Sequence, residues 1–80
     1  MGNTENIIEI RDEYIRLGQA LKLAGIAQTG IEAKIMITSG EVLVNGETEE
    51  RRGRKLRDGD RVEGAARQWR FSVKAGRASE

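Results

Sequence analysis

The chain has 80 residues, of which 38% are hydrophobic and 34% are charged, with a formal net charge of +1 at pH 7. This composition predicts one small globular domain, and it contains no cysteine or histidine, so disulfides and the commonest metal ligands and general bases are excluded. No apolar run reaches the ~18 residues of a membrane span. We therefore expect a cytoplasmic monomer without a cofactor, metal or membrane partner.

The first predicted elements are a short strand and a helix. The strand is the β-branched run Ile7–Ile10. Apolar residues then recur at helical spacing from Leu17 to Ala24, and Gly25 follows them as a stop signal.

A second helix is predicted after Thr29. Thr29 and Glu32 have the spacing of a capping box, in which the threonine hydroxyl accepts the amide of Glu32 and the glutamate reaches back to the amide of Thr29. Gly40 stands where a helix needs a left-handed residue to end.

The second helix has two apolar arcs. Ala33, Met36 and Ile37 share one arc, which should face the core. Ile31 and Ile35 share another arc, nearly opposite. We expect this second arc to be covered by the N-terminal strand or another part of the domain, or else by a protein partner.

A hairpin follows the second helix. Val42–Val44 reads as a strand, and Asn45-Gly46 is a strong signal for a type I′ turn, because both of its central positions need φ > 0. The chain is expected to continue into a second strand that pairs antiparallel with the first.

The remaining elements are less regular. Glu47–Leu56 has little hydrophobic content and is predicted to be an extended, exposed excursion. Asp58-Gly59 predicts a turn, Arg61–Glu63 the start of a strand and Gly64–Gln68 a hairpin loop. Trp69–Val73 alternates as a strand with its apolar residues on one face.

These elements predict an α+β fold in which two short helices pack on a small, bent antiparallel sheet. The expected domain covers residues 7–74, between a flexible N-terminus at residues 1–6 and a disordered tail at residues 75–80. The predicted core residues are Leu17, Leu21, Ala24, Ala33, Met36, Ile37, Val42, Val44, Leu56, Val62, Phe71 and Val73.

A basic run lies within the polar excursion. It has five cations in seven residues without an acid, namely Arg51, Arg52, Arg54, Lys55 and Arg57. Arginine suits phosphate oxygens because its guanidinium donates bidentately. The alternative is ordinary solvated surface, paired with Glu47, Glu49 and Glu50. In either case we expect exposed charges that contribute little to stability.

An ordered series of small and apolar residues also carries a family resemblance. The series is Thr29, Ala33, Ile37, Gly40, Val42, Val44, Asn45 and Gly46, followed by Leu56, Gly59, Asp60 and Val62. It resembles the S-four RNA-binding domain, or alpha-L motif, of small standalone bacterial proteins. The resemblance implies a surface for ribosomal or transfer RNA, in which Lys34 matches a basic position. The family often has a basic residue where this chain has Gly30, so any contact made there is lost.

We therefore expect a non-catalytic protein that binds structured RNA and is linked to translation or the ribosome, with no small-molecule substrate. The serines lie in no triad or elbow context, and no acid–base pair is evident. The predicted RNA-binding residues are Lys22, Lys34, Arg51, Arg52, Arg54 and Lys55. The alternative function is a protein-interaction module that uses the Ile31/Ile35 arc.

Overall fold

The computed structural model describes residues 6–76. The elements in chain order are β1 (Asn6–Ile10), β2 (Tyr14–Arg16), α1 (Leu17–Leu23), α2 (Gly30–Thr38), β3 (Val42–Val44), β4 (Glu47–Thr48), β5 (Lys55–Arg57), β6 (Arg61–Gly64) and β7 (Arg70–Ala75). The predicted α+β class is confirmed. The segments predicted to be flexible lie outside the described residues, apart from three residues: Asn6 begins β1, Ala75 ends β7 and Gly76 follows β7.

The strands form two sheets. The larger sheet has the order β1-β7-β6-β3-β4, and β2 pairs with β5 in a separate two-stranded sheet. All pairs are antiparallel except β1 and β7, which run parallel with Asn6 opposite Phe71. The sheet predicted to be antiparallel is therefore mixed. The parallel pair joins two segments far apart in sequence, and no local turn signal specifies such a pairing.

The core lies between the helices and the larger sheet. Of the predicted core residues, all are buried except Ala24 and Met36, which are partly buried and pack against the others. The core also includes Ile8, Ala20 and Ala27. Leu56 of β5 is completely buried, so the two-stranded sheet is anchored to the same core.

Both helices end as predicted, at glycines with positive φ, +79° at Gly25 and +81° at Gly40. The hydroxyl of Thr29 accepts the amide of Glu32 at 3.0 Å. The glutamate differs from the prediction, because its Oε1 accepts the amide of Gln28 at 2.8 Å rather than that of Thr29. The carboxylate thus reaches one residue further back and satisfies a donor outside the helix. Neither described helix is long or apolar enough to cross a membrane.

The second arc of α2 is open. Ile31 is 73% exposed and Ile35 is 59% exposed, whereas Ala33 and Ile37 on the other arc are completely buried. The N-terminal strand does not cover these isoleucines, since β1 lies at the edge of the larger sheet beside β7. Among residues 6–76, neither the N-terminal strand nor another segment covers this arc, so both expected intramolecular covers are wrong for the described residues.

The hairpin after β3 has the predicted turn. Asn45 has φ +52° and Gly46 has φ +89°. The Asn45 side chain also ties the turn to the neighbouring strand, because its oxygen accepts the amide of Arg61 at 3.0 Å and its nitrogen donates to Asp60 at 3.0 Å.

Gly46→Val should therefore lower the free energy of unfolding by more than ~1 kcal/mol, because a β-branched residue is strained at positive φ. Denaturant unfolding would measure the loss. Gly46→Asn is the matched control, since asparagine tolerates this conformation, and it should cost much less. Equal stability of the valine variant and the unmodified protein would contradict the argument.

Candidate nucleic-acid interface

The N-terminus of α1 is capped by the backbone of a neighbouring loop. Arg16 occupies the N-cap position and provides no side-chain cap. Instead, the amide of Leu17 donates to the carbonyl of Arg54 at 2.8 Å, and the amide of Gly18 donates to the carbonyl of Arg52 at 3.1 Å. These amides would otherwise lack partners, as the first donors of a helix do. The loop of residues 49–54, here called the basic loop, is thus fixed to α1.

The basic loop folds around the carboxylate of Glu49. Its Oε2 accepts the backbone amide and the Nε of Arg51, both at 3.0 Å. Its Oε1 accepts Nη1 of Arg54 at 2.8 Å. The hydrogen bond from the Arg51 side chain, reinforced by Arg54, lowers the pKa of Glu49 to about 2, although burial of the carboxylate acts in the opposite direction.

Most of the predicted exposed excursion, residues 47–55, is exposed, and Leu56 is buried as a core residue. The exception is Glu49, which is only 6% exposed. Arg51 and Arg54 are ion-paired to a buried acid, so their charges are not simply solvated. For these two residues we now expect a larger contribution to stability, because removing both side chains would leave a buried carboxylate with only the backbone amide of Arg51 as a partner.

Gly18 lets the basic loop lie close to α1. A Cβ at this position would lie 2.9 Å from Cγ of Arg52, which is closer than real Cβ contacts. The aliphatic part of Arg52 therefore rests against the backbone of α1.

A groove, here called the helix cleft, opens between α1, the start of α2 and the basic loop. It is lined by Arg16, Gly18, Gln19, Lys22, Gly30, Arg52 and Gly53. The lining has three cations and no acid. Gly30 is the first residue of α2, so the positive end of that helix dipole also points toward the cleft. Such a site favours an anion.

The structure separates the predicted binding residues into groups. Lys22 and Arg52 meet in the helix cleft, whereas Arg51 and Arg54 contact Glu49. Lys34 is exposed on α2, one helical turn beyond Gly30 and therefore on the same side of the helix.

Lys55 lies apart from the helix cleft, on the two-stranded sheet. Arg16 is a cleft residue that the sequence prediction missed. Arg16 directly precedes the predicted start of α1 at Leu17. A cation at the start of a helix that is expected to face RNA is the signal that could have identified it.

The sheet of β2 and β5, here called the ribbon, has one polar face and one apolar face. Tyr14 pairs with Arg57 and Arg16 pairs with Lys55, so these four side chains share the outer face. The ring centroid of Tyr14 lies 4.7 Å from the Lys55 ammonium, 5.4 Å from the Arg57 guanidinium carbon and 6.0 Å from that of Arg16. These distances are within the range of cation–π attraction.

Comparison with known proteins agrees with this architecture. A model of the S4 domain matches residues 8–71, which is most of the chain. The chain therefore belongs to the S4 domain family. It is 55% identical over 58 residues to the "Probable ribosome maturation protein RlbA" of Bacillus subtilis (strain 168), a match that covers 72% of this chain and 82% of the relative.

The Glu49 contacts predict a specific dependence of stability on pH. The pKa of Glu49 is lower in the folded protein than its ordinary value of 4.5. Its contribution to stability should therefore be fully present above about pH 4.5, and it should be lost as the pH falls toward 2. Glu49→Gln should be less stable at neutral pH, and its stability should fall less steeply over this acidic range.

Unfolding by denaturant at several pH values would measure this effect. Glu50→Gln is the matched control, because Glu50 is the exposed neighbour of Glu49. If the two variants have the same stability and the same pH dependence, the Glu49 contacts do not hold the loop.

Proposed function

We propose that this domain binds structured RNA through the helix cleft, without catalysis. The observation that carries the proposal is the convergence of Arg16, Lys22 and Arg52 at the start of α2, in a cleft whose lining has no acid. Membership of the S4 domain family supports the same function.

Recognition would depend on the shape and phosphates of the RNA. The deep, narrow major groove of A-form RNA is closed to side chains, so proteins contact its phosphates and 2′-hydroxyls. The guanidinium groups of Arg16 and Arg52 can each bind a phosphate bidentately, and Lys22 adds a compact charge in the same cleft. Lys34 would extend this contact along α2.

The RNA in our proposal is ribosomal, and the role is in ribosome maturation in the cytoplasm. The Bacillus subtilis relative is described as a probable ribosome maturation protein, which favours ribosomal over transfer RNA. We propose that the domain acts as a monomer on the RNA.

A second candidate function is binding to a protein through Ile31 and Ile35. The observation that favours it is their exposure on α2. An apolar contact of this kind depends little on salt, whereas phosphate binding weakens steeply as salt rises. Salt dependence therefore separates the two functions.

The main test removes two cleft cations. Lys22→Gln combined with Arg52→Gln should weaken the binding of bacterial ribosomal RNA and lower the slope of log affinity against log salt by about 1.4–1.8, which is ~0.7–0.9 for each lost phosphate contact. Glutamine keeps the Cγ and Cδ atoms that lie beside Gly18, so the fold should be retained. Filter binding over a range of salt concentrations gives both quantities.

The matched control is Arg67→Gln combined with Arg70→Gln. It removes the same charge from the β6–β7 end, where these side chains lie near Trp69. This control should leave affinity and slope nearly unchanged. If the two double variants lower affinity and salt slope equally, the loss reflects net charge rather than contacts in the cleft, and the proposal is contradicted.

A gain of binding tests the same cleft from the other direction. A Cβ at Gly30 meets no atom within 4 Å, and its φ is not in the left-handed region, so a side chain fits there. Gly30→Lys should add a phosphate contact, raising RNA affinity and steepening the salt slope by ~0.7–0.9. Gly30→Ala is the control for helix stabilisation alone. No increase with lysine would show that bound RNA does not reach the start of α2.

A further inference from the structure

We propose that the outer face of the ribbon binds an unpaired RNA strand directly beside the base-paired RNA in the helix cleft. Tyr14 would stack on one base, while Arg16, Lys55 and Arg57 hold the neighbouring phosphates. The inference rests on the proposed function and defines its ligand more closely, as a junction between a helix and a single strand.

The ribbon presents these side chains as one surface. Residues alternate between the two faces of a strand, so Ile15 and Leu56 turn toward the core while their neighbours turn outward. The buried Leu56 fixes the position of β5. Tyr14 is partly exposed, and the three cations around it are exposed.

The charges on this face lack acidic partners. The ion pairs among residues 6–76 involve Arg51, Arg54 and Lys74, and none includes a cation of the ribbon. Three positive charges around one ring repel one another, and the ring only partly offsets this repulsion. A phosphate would offset it more strongly.

The nearest acids are engaged or peripheral. The Asp60 carboxylate accepts the amide of Arg57 at 2.7 Å, and the Asp58 carboxylate accepts the amide of Ala75 at 2.9 Å. Both groups are thus held by the backbone. Asp12 and Glu13 line a groove together with Tyr14 and Arg16, and Glu13 also lines a groove with Arg57.

An unpaired strand fits this surface better than a duplex does. In a duplex the bases stack on one another and present no face to an aromatic side chain, whereas a single strand can stack its bases on aromatic rings. The Lys55 ammonium now lies 4.7 Å from the ring centroid. Its flexible stem would let it move to a phosphate as a base takes its place on Tyr14.

The ribbon is continuous with the helix cleft. Arg16 lines the cleft and also lies beside Tyr14, and β2 leads directly into α1. One RNA molecule can therefore contact both surfaces if its helix ends near Arg16 and one strand continues unpaired. A blunt duplex would use the cleft alone.

The test compares a blunt RNA hairpin with the same hairpin carrying an unpaired uridine extension of about six nucleotides, within the range that single-strand sites cover. Both the 5′ and the 3′ extension are measured. The extension should raise the affinity of the unmodified protein. Tyr14→Leu should reduce that gain in affinity by about fivefold or more, because stacking of one base on an aromatic ring contributes at least about this factor. Tyr14→Phe should keep it, since the ring remains.

Matched probes and variants separate the contributions. An extension made of abasic nucleotides should give a smaller gain, because it offers phosphates without bases. Arg57→Gln should lower the gain and Glu13→Gln should raise it. None of these variants should change affinity for the blunt hairpin by a comparable factor. Unfolding curves show whether the Tyr14→Leu protein is folded, and Arg57→Gln tests the face without altering the ring.

Each outcome decides the inference. The inference is overturned if the extension does not raise the affinity of the unmodified protein. It is also overturned if the extension raises the affinity of Tyr14→Leu by the same factor as that of the unmodified protein. If the blunt hairpin does not bind but free oligouridylate binds in a Tyr14-dependent manner, the helix-cleft proposal fails while the ribbon is supported. If neither RNA binds, both proposals fail.

Discussion

The buried carboxylate of Glu49 is the constraint on which the candidate interface depends. It is the one charged group that is buried among residues 6–76, and it gathers a backbone amide and two arginine side chains from the basic loop. A loop shaped in this way directs its carbonyls at the first amides of α1. The loop that folds around this acid therefore caps α1 with its carbonyls and brings Arg52 to the cleft.

The contacts of Glu49 also change the interpretation of the basic run. Arg51 and Arg54 partly neutralise Glu49, so their first role is to shape the loop. The cleft instead receives its charge from two separate segments, with Arg16 and Lys22 on one and Arg52 on the other. A local count of cations measures the charge available to a surface, and the fold decides which of those charges face a ligand.

Features determined by neighbouring residues could be predicted from the sequence. The Thr29 cap, the glycine ends of both helices and the Asn45-Gly46 turn each depend on the conformation of a few adjacent residues, and each is present. The buried helix arc also followed from spacing alone. The family membership followed from the same ordered residues.

Features that need distant contacts could not be predicted. The pairing of β2 with β5 and the parallel edge strand both join segments whose sequences contain no sign of one another. Tyr14 illustrates the difference. It stands among ordinary polar residues in the sequence, and only the register with β5 places it between Lys55 and Arg57.

The parallel pairing of β1 with β7 also bears on the order in which the chain can fold. Asn6 lies opposite Phe71, so β1 is synthesised well before the strand that pairs with it. The helices and the β3–β4 hairpin consist of local contacts and can form earlier, because their loop-closure entropy is small. Until β7 has been synthesised, the isoleucines of β1 lack the strand with which they pair in the folded domain. The nascent domain therefore carries an unpaired apolar strand for as long as β7 is missing.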